Sequence, residues 1–249
     1  MCGRYSVTLP VEALARVFGF AERPNLAPRW NLAPTQQAPV VRLRDGGGIE
    51  DGGRRLVMLR WGLVPAWAKD VSMGATLINA RAETVAEKPA FRGAFRKRRC
   101  LVPADGFYEW KAEGKVKQPW RIQRPDGAPF AFAGLWESWQ PKEAGAAPLE
   151  SFTIVTTDAN ATLAPVHHRM PVILTTAEAQ ARWLDPAAAP DALQALLTAA
   201  PDDFLTAFRV STRVNSARVD DAACIAPAEP PAAPAAASVP ATPRQRDLF

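Results

Sequence analysis

Cysteine is scarce in this 249-residue chain: Cys2, Cys100 and Cys224 are the whole set, and no two form a C-x-x-C pair. An odd number without paired spacing argues against a disulfide framework and gives no zinc-site signature, so no metal or organic cofactor is expected. No apolar run approaches the ~20 residues of a membrane span. The amino terminus also lacks the charged-then-apolar build of a secretory signal, so a cytoplasmic protein without a membrane partner is expected. No internal repeat of fixed period is visible.

What the chain does have is enough apolar sequence for a sizeable core and a formal net charge of +5, a balance that suits a polyanionic partner. The cations are unevenly spread. Arg92, Arg96, Lys97, Arg98 and Arg99 crowd one stretch with Phe91 and Phe95 interleaved, the composition of a groove that tracks a nucleic-acid backbone and stacks on bases. The competing reading is an ordinary solvated helix end.

Periodicity predicts many short strands: Gly3 to Val7, Val40 to Leu43, Arg54 to Leu63, Cys100 to Pro103, Pro119 to Gln123, Phe130 to Trp136, Phe152 to Thr157, Val172 to Thr175 and Phe204 to Val210. Thr8 is placed to cap a first helix through Leu14, Val17 and Phe18. Thr176 caps a second running to Leu184, and a third spans Asp191 to Ala199. Asp45 to Gly53 reads as a hairpin turn or loop, and Cys100 as a buried strand residue. Strands in this excess predict an α+β domain over 1–225 around a curved, mostly antiparallel sheet or barrel with short flanking helices. From Ala226 the composition turns to Pro and Ala, which cannot bury enough surface to fold; residues 226–249 are expected to be a disordered arm.

The sharpest chemical signal is Met1-Cys2-Gly3-Arg4. The small side chain of Cys2 permits removal of Met1, which leaves a thiol and an α-amine on one residue. With unperturbed pKa values near ~8.5 and ~8, both are partly reactive at neutral pH. The amine condenses with an aldehyde to an imine, and the sulfur can then close onto the same carbon as a thiazolidine, an intramolecular step.

Four segments stand in order with that terminus: Met1-Cys2-Gly3-Arg4-Tyr5, Asn79-Ala80-Arg81-Ala82-Glu83, Gly106-Phe107-Tyr108-Glu109-Trp110 and His167-His168-Arg169-Met170-Pro171. Together with Asn31-Leu32-Ala33-Pro34 and Trp61-Gly62-Leu63-Val64-Pro65 they resemble the SOS-response-associated peptidase (SRAP) family over roughly Cys2 to Ile225. The resemblance implies a DNA-protein crosslinker that shields abasic sites in single-stranded DNA, or at single-strand/double-strand junctions, through a thiazolidine on Cys2. It implies a monomer working at the nucleoid, and weak strand cleavage by β-elimination is chemically accessible from the imine.

The same resemblance assigns roles. His167, two residues before the Arg, is the acid-base that opens the closed sugar to its aldehyde, and His168 is expected to point elsewhere. Glu109 moves protons during imine formation and works partly protonated, while Asn79 holds sugar hydroxyls or the terminal amine. Arg4, Arg81 and Arg169 are expected to grip phosphates flanking the lesion. Trp67, Trp110 and Phe95 are candidates to stack on bases, with a core role left open for each. Two other classes stay in play: an N-terminal-nucleophile amidohydrolase or peptidase attacking an amide through Cys2, and a non-covalent single-strand-binding module indifferent to Cys2. In the arm, Gln245, Leu248 and Phe249 resemble the short peptide that bacterial sliding clamps bind, which would hold the domain near replication at high effective concentration.

Overall fold

The computed structural model describes residues 2–44, 53–143 and 145–228. The expected turn at Asp45 to Gly53 and the clamp-like Gln245, Leu248 and Phe249 lie wholly or almost wholly outside that set. In chain order the chain forms β1 (Tyr5–Val7), α1 (Val11–Phe18), β2 (Arg29–Leu32), β3 (Gln37–Leu43), β4 (Arg54–Trp61) and β5 (Asn79–Arg81). Then follow α2 (Arg92–Lys97), β6 (Arg99–Ala104), β7 (Gly106–Glu113), β8 (Val116–Gln123), β9 (Phe130–Trp139) and β10 (Leu149–Asp158). The chain continues through β11 (Arg169–Pro171), β12 (Ile173–Leu174), α3 (Ala177–Leu184), α4 (Pro190–Gln194) and β13 (Thr206–Arg209).

Strand pairing makes the predicted α+β architecture specific. β4, β3, β6 and β9 pair antiparallel in series, β10 joins β9 antiparallel, and β10 returns to β4 in parallel, closing a five-stranded barrel. Closure leaves no free edge around the ring. A second, antiparallel sheet runs β13-β8-β7-β1-β2. The two meet at Tyr5, whose ring stands edge-on to Trp61 at 5.1 Å and to Phe132 at 5.8 Å within the main core cluster. Trp61 ends β4 and is followed by Gly62 at φ 115°, where a Cβ would lie 2.5 Å from the Gly74 carbonyl oxygen; no larger residue fits there. Among the described residues no helix is long and apolar enough to cross a membrane.

Local expectations divide. Thr176 caps α3 as expected, accepting from the Ala179 N–H at 3.1 Å, and Cys100 is buried in β6. Thr8 does not cap α1: the helix begins after Pro10 without a side-chain cap, and Thr8 gives both its N–H and its hydroxyl to Asp105. Val17, expected on the buried face, is exposed, and Val11, Leu14, Ala15 and Phe18 form that face instead. The basic-aromatic stretch is a correction of a larger kind. It forms α2 with its rings turned inward: Phe91 is buried, and Phe95, 2% exposed, packs on Trp183 with ring centroids 6.0 Å apart. Arg99 is likewise buried and is spent on the carbonyls of Phe95, Arg96, Trp183 and Asp185. Apolar burial claimed the aromatics, so Phe95 is closed to base stacking.

The end of the described chain is held in place. Asn31 donates to the Val214, Ser216 and Val219 carbonyls, Asp220 accepts from the Trp30 and Asn31 N–H groups, and Pro227 still bridges to Val210.

Candidate active site

Three separate pairings carry the chemistry-bearing residues to one place. In the second sheet the antiparallel β1–β7 register sets Tyr5 opposite Phe107, and the Tyr108 N–H continues the ladder to the Arg4 carbonyl at 3.0 Å. One further step along the same register brings the Cys2-Gly3 segment alongside Glu109. From the barrel, β10 runs past the end of β9 and holds β5 on one side and β11 on the other. β5 presents Asn79, whose Nδ2 donates to the Cys2 carbonyl at 2.8 Å. β11 follows His167, which closes a turn through its N–H to the Leu163 carbonyl at 3.0 Å. His167 Nε2 stands 4.0 Å from Glu109 Oε2. A cavity of about 450 Å³ opens beside this pair, lined by Arg4, Glu109, Trp110, Lys117, His167 and Asn215.

Burial sets the protonation states. Glu109 is 2% exposed, and loss of water pushes its carboxyl up to about 7, so near neutrality it is poised between acid and base. Burial also raises the Cys2 thiol well above its ordinary value, with the negative charge of Glu109 adding to the effect. Such a thiol is not spontaneously a thiolate and needs a base to accept its proton. His167 is shifted the other way, downward, again chiefly by burial, which favours the neutral imidazole. Its Nδ1 lies 3.0 Å from the Arg169 N–H and 3.1 Å from the Arg169 carbonyl oxygen. The backbone can therefore accept either tautomer, and Nε2 faces Glu109 as donor or acceptor accordingly. His168 does not point away, as expected, but stacks on His167 with centroids 4.5 Å apart.

The proposed nucleic-acid contacts separate by availability. Trp67 is 60% exposed and Arg81 is exposed, so neither side chain is taken up by the core. Trp110 is partly buried at the cavity wall, its Nε1 donating to Asn215 Oδ1 at 2.7 Å. Arg4 also lines the cavity, but Nη1 is bonded to Asn31 Oδ1 and the Val214 carbonyl, and Nη2 to the Asn215 carbonyl. It is an anchor whose charge still faces the opening. Arg169 is not available to a phosphate: 7% exposed, it grips both oxygens of Glu83 and reaches Asp158 and the Thr156 carbonyl. Its work is to fix the turn that carries His167. Lys117, Asn215 and the Asn31 hub escaped sequence reading, because only the pairing of β7 with β8 and the docking of 212–220 bring them to the site. The one available signal was Asn31 within the matched Asn31-Leu32-Ala33-Pro34 segment. Among the described residues no group of three or more His, Cys, Asp or Glu side chains is placed to hold a metal ion.

Known proteins resemble this chain in sequence and in fold. Residues 1–217 match the family model described as SOS response associated peptidase (SRAP). The chain is 42% identical to the abasic site processing protein YoaM of Bacillus subtilis, over 89% of this chain and 96% of that one. It is 33% identical to the abasic site processing protein HMCES of Gallus gallus, over 92% of this chain and 78% of that one. Among solved structures, a Bacteroides thetaiotaomicron protein superposes with a TM-score of 0.80 at 26% identity, covering 92% of this chain and all of that one. A phage-related protein from Bordetella bronchiseptica gives 0.65 at 29% identity, over 84% and 94% of the two chains. A family model spanning most of the sequence, relatives similar over nearly its full length and a shared fold place this chain in the SRAP family.

Proposed function

We propose that this protein processes abasic sites in DNA by linking them covalently to Cys2 once Met1 has been removed. The observation that carries the reading is the meeting of the Cys2 backbone, the Asn79 amide, and the Glu109–His167 pair beside one cavity. Relatives named for abasic site processing support the choice of substrate.

The sequence of steps follows from the proton inventory. An abasic sugar is mostly a closed hemiacetal; opening it moves the proton of the C1′ hydroxyl to the ring oxygen, a transfer within the reach of neutral His167. The α-amine of Cys2 then adds to the freed aldehyde, and one water leaves to give the imine. Glu109, near half-protonated at neutral pH, can donate to the departing hydroxyl and take back the ammonium proton. Finally the Cys2 sulfur adds to the imine carbon, the thiol proton ending on nitrogen, and the five-membered thiazolidine is complete. Because burial disfavours the thiolate, the amine is the first nucleophile and the sulfur the second. Loss of the 3′ phosphate by β-elimination from the imine is a side path that ring closure suppresses. Exposed Arg81 and Trp67 suit a single strand, or a strand at a duplex junction, running past the cavity. The Pro/Ala-rich arm would tether the domain through Gln245, Leu248 and Phe249.

Intact-mass measurement after incubation with an abasic oligonucleotide tests the reading. The expected product has the summed masses less one water, and it is absent for Cys2→Ala and for a variant with an extra residue ahead of Cys2. A wild-type protein that cleaves amides and gives no adduct, or one that binds DNA equally well without any adduct, overturns it.

A further inference from the structure

One wall of the cavity comes from a part of the chain outside all four motifs. The 3-10 turn Thr212–Asn215 is drawn against the second sheet by Arg4, which reaches the Val214 carbonyl at 2.7 Å and the Asn215 carbonyl at 3.2 Å. Asn31 holds the same turn from beneath at Val214, and the Ser211 hydroxyl caps its start. With its backbone fixed, the side chain of Asn215 has little choice. The indole N–H of Trp110 meets its Oδ1 at 2.7 Å, and an indole nitrogen can only donate, so the amide oxygen is committed to that side. The NH2 group is turned away from Trp110 as a donor on the exposed rim. Lys117 shares that rim: it pairs opposite Ala112, two residues along β7 from Trp110, and so stands on the same face of the sheet. Among the described residues no ion pair holds the Lys117 ammonium.

We infer that Asn215 and Lys117 form a phosphate subsite for the nucleotide adjoining the abasic sugar, with Asn215 Nδ2 donating to a phosphate oxygen and Lys117 supplying charge. The subsite rests on the DNA reading above and adds two contacts from residues outside the motifs. Trp110 is tied by its indole N–H to the same amide, so one residue both anchors the ring and offers the donor.

The test uses a single-stranded oligonucleotide carrying a tetrahydrofuran residue, which lacks the aldehyde and reports binding without crosslinking. Asn215→Asp keeps an oxygen for the Trp110 N–H but replaces the donor with a negative acceptor. Its Kd is expected to rise about tenfold at low salt, the scale of one charge-assisted contact. Asn215→Ala weakens binding less, and Lys117→Gln lowers the salt slope by about one. Asn215→Asp binding like wild type, with Asn215→Ala weakened, would show that Asn215 only props Trp110 and overturns the inference; so would wild-type binding by all three variants. Failure of the covalent reading appears separately, as absence of the adduct on aldehyde-bearing DNA while these binding differences persist.

Discussion

Two buried acids on or beside one strand, Asp105 and Glu109, have opposite surroundings. Asp105, at the start of β7, accepts from the Ser6 hydroxyl at 2.5 Å, the Thr8 hydroxyl at 2.7 Å and Arg121 Nη2 at 3.2 Å. Arg121 also bonds Ser6 and Tyr108, so the charge sits inside a closed net of donors. Four residues on, Glu109 is just as buried but faces His167 across 4.0 Å at the wall of a cavity, and burial lifts its carboxyl to about 7. One site spends its charge on joining β1 to β7. The other keeps a carboxyl in a state where it can change charge during a reaction.

The largest effect expected from breaking this contrast is at Asp105. Asp105→Ala strands the Arg121 guanidinium in the sheet and should cost about 3–5 kcal/mol, read by urea unfolding. Glu109→Gln should do the reverse. A carboxyl whose folded value lies above its ordinary 4.5 contributes full stability below the ordinary value and loses it as pH rises through about 7. Ionised Glu109 therefore costs the wild type about 3 kcal/mol at about pH 9, and Glu109→Gln should unfold later than wild type there, with the difference vanishing near about pH 4. A wild type that is the more stable of the two under alkaline conditions would break the comparison.

In activity the same substitution should slow adduct formation by about 10²-fold or more, the usual worth of a positioned proton carrier. The ratio of wild-type to variant rate should fall as pH rises through about 7, because the protonated carboxyl is the form that helps water leave. A ratio flat across that range would assign Glu109 to binding instead. The smallest effect is expected at Glu83. Its carboxylate is half exposed and Arg169 keeps Asp158 and the Thr156 carbonyl, so Glu83→Gln should cost about 1 kcal/mol or less in thermal unfolding and leave DNA affinity nearly unchanged.

Glu109 and Asp105 also mark how far the linear order of residues could be read. Glu109 was legible because its segment belongs to a family pattern, as were Cys2, Asn79 and His167, and the structure gathers their segments. Asp105 carries no such pattern, and nothing local tells that Ser6, Thr8 and Arg121 will converge on it. Phe95 and Arg169 failed for the same physical reason: an aromatic among arginines and an arginine in a motif both look like ligand contacts until their burial and partners are known. Trp183 covers the first, and Glu83 with Asp158 occupies the second.

From the residues alone came the strand-rich class, the Thr176 cap, the buried Cys100 and the four motif segments, because periodicity, capping and motif spacing are properties of neighbours along the chain. Closure of β10 onto β4, the raised carboxyl of Glu109, the commitment of Arg4 and Arg169 to internal partners and the arrival of Asn215 beside Trp110 belong to the tertiary structure. Each depends on groups far apart in sequence that share a low-dielectric interior, and solvent exclusion there is set by the whole packed fold.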